Sequence, residues 1–120
     1  MLNPSVVRER ELFENERFIP MYGWSSKWLL MTDRKAISNR DGSLSWSNYE
    51  AAEESLLSYG WEWDQNSKWT VDKEFSNTDS DGWSYDVNFG SFENASSKKG
   101  MMHFVRRRRV VRKLHFMSKC

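Results

Sequence analysis

HFVRRRRVVRKLHF, residues 103–116, places four consecutive arginines inside an apolar run, in a chain of 120 residues whose formal net charge is only +1. The reading of this stretch decides the fold. Val105, Val110, Val111 and the flanking phenylalanines favour an extended strand, because β-branched and aromatic side chains fit a pleated surface. On a strand the run splits by parity. Phe104, Arg106, Arg108, Val110, Arg112, Leu114 and Phe116 point one way, while Val105, Arg107, Arg109, Val111, Lys113 and His115 point the other. Each face then holds two of the four arginines among apolar neighbours. A helix would wrap the charges around its axis and waste the β-branched signal.

Such arginines need partners. Aliphatic residues are sparse, but 15% of the chain is aromatic, with seven tryptophans. A planar guanidinium can stack on an indole and still donate to a carboxylate at its edge. Each stack contributes about 0.5–2 kcal/mol, depending on desolvation. Trp61, Trp63, Trp69 and Trp83 are therefore the expected partners of Arg106, Arg107, Arg108, Arg109 and Arg112, with at least two of Arg106–Arg109 on tryptophan rings. A nucleic-acid patch would instead display its arginines on a strongly basic surface, and the sequence pI near 7.9 argues against one. Charge is distributed in blocks. Residues 1–40 hold seven basic and five acidic groups, residues 41–97 hold two and twelve, and residues 98–120 hold nine and none. The acidic middle is expected to neutralise the basic tail in the folded domain.

The remaining segments fit one mostly-β domain over residues 1–120, with its core at about 11–116. A strand is expected near 10–18, a turn at Pro20 to Gly23, and a short apolar segment from Trp28 to Met31. Asp41-Gly42 and Asp81-Gly82 read as turns. SNYEAAEESLLSYG, residues 47–60, is the one helix, with Ser47 and Glu50 as a capping box and Gly60 as a left-handed stop. WEWDQNSKWTVDKEF, residues 61–75, and WSYDVNF, residues 83–89, alternate as half-buried strands do. Residues 83–89 should pair antiparallel with 103–113 through the polar loop at 90–102.

Several function classes are poorly served. There is no G-x-S-x-G elbow, P-loop or H-E-x-x-H, and His103 and His115 read as strand residues beside a core. No catalytic residue, metal or cofactor is expected. The single cysteine, Cys120, allows no intrachain disulfide. MLNPSVVRER lacks the apolar core of a signal peptide, and no stretch approaches the roughly 18 apolar residues of a spanning helix. A cytoplasmic, non-enzymatic module is the expectation.

FENERF at 13–18, GWS at 23–25, LLMTDR at 29–34, GWEW at 60–63, KWTVD at 68–72, TDSDGWSYDVNFG at 78–90 and HFVRRRRVVRK at 103–113 resemble, in order, the dysferlin-type (DysF) domain. The resemblance implies long antiparallel strands held by arginine–tryptophan stacks and no catalytic activity. The chain departs from that family at Tyr59, where proline is usual, and at Val110, where tryptophan is usual. FENERF and LLMTDR are closer in wording to the fungal forms. Those imply a peripheral role in membrane biogenesis: at the prospore membrane if the chain is nearly complete, or in peroxisome formation at the endoplasmic reticulum if it is part of a peroxin. The expected partner is an anionic phospholipid surface, phosphatidic acid being associated with the peroxin group. Lys98, Lys99, Lys113 and the edges of Arg107 and Arg109 are the candidate contacts. The alternative is a protein-interaction module recruited by another membrane protein.

Overall fold

The computed structural model describes residues 2–90 and 92–119, with side chains over 6–90 and 92–117. In chain order the elements are β1 (Leu2–Ile19), β2 (Gly23–Ser25), a 3-10 turn (Ser26–Trp28), β3 (Ile37–Ser38), β4 (Ser45–Trp46), α1 (Tyr49–Leu56), β5 (Trp61–Trp63), β6 (Thr70–Val71), β7 (Trp83–Asp86) and β8 (Val105–Lys119). β1 and β8 form an antiparallel ribbon, from Leu2 opposite Lys119 to Arg17 opposite Val105, with one irregularity between Pro4 and Val6. The described part measures 57 × 29 × 23 Å, and the ribbon sets its long axis.

Every other described strand is short, and all but β4, which pairs with β3, pair directly with this ribbon. The sheet runs β4-β3-β1-β8-β5, with β2 added to β1 and both β6 and β7 added to β8. The antiparallel pairing of residues 83–86 with β8 is as expected, Trp83 lying opposite Arg108 and Asp86 opposite Val105. The strand stops at Asp86 rather than Phe89. There the Asp86 carboxylate takes the Val87 amide (2.7 Å) and its carbonyl takes the Phe104 amide (3.0 Å). Val87 is left exposed.

β1 is longer than the expected 10–18. Arg8-Glu9-Arg10-Glu11 hides the strand signal, since the alternation there is of charge rather than of hydropathy. The partner strand supplies the missing reason, because β8 is long enough to pair with one side of β1 from Leu2 to Arg17.

The main core lies on the face of the ribbon shared by Leu12 and Val110. With Ile37 and Ala52 these two form a buried cluster ringed by Trp46, Tyr49, Leu56, Trp69 and Val71. Ala52 is fully buried, and places α1 against the strands in this cluster. Val110 packs in this cluster with Ala52 of the helix.

Several local expectations are corrected. The helix cap is Asn48 rather than Ser47, its side-chain oxygen accepting the Ala51 amide at 2.8 Å. The helix ends at Leu56, with Leu57 as its C-cap, before Gly60. Gly60 instead adopts φ +86° at the entry to β5, where a Cβ would meet the Phe116 ring at 2.6 Å. The segment from Trp28 to Met31 is not a packed apolar stretch, because after the 3-10 turn Leu30 and Met31 face outward. Phe75 also departs from the side shared by Trp69 and Val71. The turn from Asp72 carries it to the opposite face of the ribbon, where it meets Phe13 edge-on at 5.7 Å. Nor is the 90–102 loop wholly polar, since Phe92 is buried and Ser96 bridges to Tyr85. Cys120 lies outside the described residues.

Candidate functional site

The arginine run is divided between the two faces of β8, as parity requires. On the α1 face, the Arg106 guanidinium carbon sits 3.8 Å from the Trp83 ring centroid and 4.7 Å from that of Trp24. Arg108 lies over the same Trp83 (4.6 Å), and Arg112 lies over Trp63 (5.2 Å). Each is also held by a carboxylate. Arg106 donates to Glu16 (2.6 Å), Arg108 to Glu14 (2.6 Å), and Arg112 to Glu53. Tyr49 donates its hydroxyl to the same Glu14. Burial raises the Tyr49 hydroxyl pKa, and the Glu14 carboxylate adds to the effect.

Arg106 and Arg108 are thus the two of the four that lie over tryptophan, as expected of at least two, while on the opposite face the partners are phenylalanines. Arg107 is sandwiched between Phe13 and Phe92, 4.3 Å from each centroid, and is 6% exposed. It donates to the Arg40 carbonyl at 2.7 Å, and no described carboxylate lies within ion-pair range. Burial, with Arg34 and Arg40 nearby, pushes its pKa down to about 10. Arg109 lies 5.7 Å from Phe75 and is bound between Glu11 and Asp72, each at 2.7 Å. Partial burial raises the Glu11 carboxyl, but the hydrogen bonds and charges of Arg40 and Arg109 outweigh it, so its pKa falls below the ordinary value.

Trp61 and Trp69 take no guanidinium among the described residues. Trp61 meets Phe116 edge-on, while Trp69 stacks on Tyr49 at 5.6 Å and donates its indole N–H to Glu53. Trp24, Phe13, Phe75 and Phe92 take those places, none of them an expected stacking partner. Neutralisation also differs from the block reading. Among the described residues, Glu11, Glu14 and Glu16 of β1 hold the arginines, with only Glu53 and Asp72 drawn from the acidic middle. The register explains this, for Glu14 lies directly opposite Arg108 and Glu16 opposite Arg106. Alternating glutamates in ERELFENER were the available signal.

The candidate lipid contacts are not gathered into one patch. Lys98 and Lys99 are exposed near the Ile19–Val105 end of the ribbon, where the Lys99 ammonium lies 4.2 Å from the Phe18 centroid. Arg107 is buried and Arg109 is paired with two carboxylates. Lys113 is exposed but stands about 26 Å up the strand from Val105, at ~3.3 Å per residue. The lysine end has apolar company instead. The β1–β2 turn presents Met21 (101% exposed) and Tyr22, and the turn before β8 presents Met101 (92%) and Met102. The Phe18 amide bonded to the Phe104 carbonyl at 2.8 Å ties these two turns together.

Among the described residues no group of three or more His, Cys, Asp or Glu is placed to hold a metal ion. No described helix is long and apolar enough to cross a membrane, a statement that does not extend to strands.

Residues 3–112 match the family model Pex24p, described as an integral peroxisomal membrane peroxin. The chain is 39% identical over 111 residues to a tectonin beta-propeller repeat-containing protein of Drosophila melanogaster, covering 91% of this chain and 8% of that protein. It is 32% identical over 116 residues to human tectonin beta-propeller repeat-containing protein 1, covering 95% and 9%. The chain thus spans less than a tenth of the length of the curated relatives it matches.

Proposed function

The chain belongs to the Pex24p family of integral peroxisomal membrane peroxins, and from that premise we propose that it is a non-enzymatic module that contacts an anionic phospholipid surface. One observation carries the reading: Lys98 and Lys99 flank the exposed Met21, Tyr22, Met101 and Met102 at a single end of the ribbon. Thioethers and a phenol ring held in water gain by entering the headgroup–acyl boundary, while lysines beside them meet the phosphates. Each lysine contributes about 1 kcal/mol near a negatively charged leaflet. Lys98 and Lys99 remain the basic contacts in this reading. Arg107, Arg109 and Lys113 leave it, being respectively buried, neutralised and remote.

The setting proposed is the cytoplasmic face of the endoplasmic reticulum or peroxisome during peroxisome biogenesis, with phosphatidic acid as the first headgroup to try. The family description favours this over the prospore membrane, for which the sequence resemblance alone speaks.

Liposome flotation tests the reading. The parent should float with phosphatidylcholine vesicles containing phosphatidic acid and not with phosphatidylcholine alone. Lys98→Glu and the double change Met101→Ser, Met102→Ser should each reduce flotation with unchanged melting temperature. Lys99→Glu is the less clean variant, since it also loses the contact with Phe18. A parent that floats on no anionic vesicle sinks the lipid reading and leaves the protein-interaction module in its place.

A further inference from the structure

We propose that the outer edge of β1, from Val6 to Glu11, accepts an extended acidic segment of a partner protein as an added strand. β1 is paired on both sides only at its C-terminal half. β2 covers Arg17–Ile19 and β3 covers Phe13–Glu14, whereas β8 lies along the other side throughout. Beyond Ser38 the chain turns at Asn39–Gly42, where the Arg40 side chain reaches the Glu11 carboxylate but no backbone group bonds to β1. The direction of the free groups follows from two hydrogen bonds. The Phe18 amide points to β8, bonding Phe104, and the Asn15 amide points away, bonding Ala36. The register steps evenly from Val6 to Arg17, so strand alternation makes Val7, Glu9 and Glu11 the residues whose N–H and C=O face outward. No described strand or loop backbone takes them.

Charge selects the occupant. Arg106, Arg108, Arg109 and Arg112 are each bound to a carboxylate, whereas no described carboxylate pairs with Arg8 or Arg10. Arg10 stands directly opposite Arg112, whose glutamate is already taken, and Arg8 stands opposite the apolar Leu114. Both arginines border a cavity of about 340 Å³ floored by Leu114 and walled by Leu56 and Trp61. An added strand would set side chains directly across from Arg8 and Arg10, two residues apart on one face. Carboxylates there relieve the like-charge pair, and an apolar neighbour enters the cavity. A second copy of this chain fits badly. Laid antiparallel so that Val7–Glu11 covers itself, it sets Arg8 opposite Arg10 and Glu9 opposite Glu9.

The test uses the 120-residue chain and two synthetic peptides of alternating valine, one with aspartates and one with lysines at the two central positions. The aspartate peptide should bind saturably and slow hydrogen exchange at the Val7, Glu9 and Glu11 amides. Arg8→Glu with Arg10→Glu should weaken it by about tenfold and favour the lysine peptide. Glu9→Pro should abolish binding while leaving the melting temperature nearly unchanged, because that amide faces the open edge and not the β8 ladder. If the two peptides bind the parent equally, if neither binds, or if Glu9→Pro binds like the parent, the proposal is overturned. Loss of flotation on anionic vesicles in the Arg8→Glu, Arg10→Glu variant, with no peptide binding by the parent, would assign these arginines to lipid instead.

Discussion

The guanidinium of Arg106 lies 3.8 Å from the centre of the Trp83 indole while its edge donates to Glu16 at 2.6 Å. One residue therefore makes a stacking contact and a charge-assisted hydrogen bond in perpendicular directions, which only a planar cation can do. Trp83 itself is 7% exposed and takes Arg108 as well, so its ring is covered by two cations whose charges are met by Glu16 and Glu14. A tryptophan placed like this replaces the aliphatic layer that the chain lacks.

Arg106→Lys should lower stability by about 1–2 kcal/mol, since lysine keeps the charge but loses the plane. In thermal unfolding this is a drop of roughly 5 °C for a domain of this size. Equal melting of Arg106→Lys, Arg108→Lys and the parent would show that the stacks contribute nothing.

Arg107 should behave differently from its neighbours. It is enclosed by two phenyl rings with no described carboxylate, so its charge is a cost at that site. Arg107→Met removes the charge and keeps an apolar chain between Phe13 and Phe92, and should be tolerated to within about 1 kcal/mol. Arg107→Lys keeps the cost and loses both stacks, and should be the more damaging change. Urea unfolding of the pair checks the order.

Acid sensitivity should trace in part to Glu11. Its carboxyl titrates below the ordinary 4.5 in the folded chain because Arg40 and Arg109 together outweigh its partial burial. The unfolded state then binds the proton first, so this contribution is present above the unfolded pKa and is lost as pH falls through the folded one. Glu11→Gln should be less stable than the parent at pH 7, and the gap should narrow toward pH 3. Chemical unfolding at several pH values reads this directly, and a gap that stays constant would contradict it.

Gly60→Ala should destabilise for two separable reasons. The residue sits at φ +86°, and a Cβ would stand 2.6 Å from the Phe116 ring. The double change Gly60→Ala, Phe116→Leu should recover the steric part and leave the backbone strain, about 1 kcal/mol or more. Melting of the two variants against Phe116→Leu alone separates the terms.

Much of this architecture is local in origin. Valines and phenylalanines around the arginine run require a strand whatever surrounds it, and strand parity alone divides Arg106 and Arg108 from Arg107 and Arg109. The Asp-Gly turns and the single helix follow from equally local preferences, although the cap moves by one residue to Asn48. What the sequence could not determine was the pairing. Which glutamates neutralise the arginines depends on register between residues some ninety positions apart, as with Arg106 and Glu16, and alternation constrains a face but not an offset. The same holds for the rings. Trp24 and Phe92 reach the run only because a hairpin and a loop fold back over β8, while Trp61 and Trp69 are drawn to Phe116 and Tyr49. Tertiary structure likewise separated Lys113 from Lys98 and Lys99, and left the charged half of β1 with an open edge. Local sterics act through the nearest few residues and are legible in order along the chain, whereas stacking partners, ion pairs and exposed edges are settled by long-range contacts.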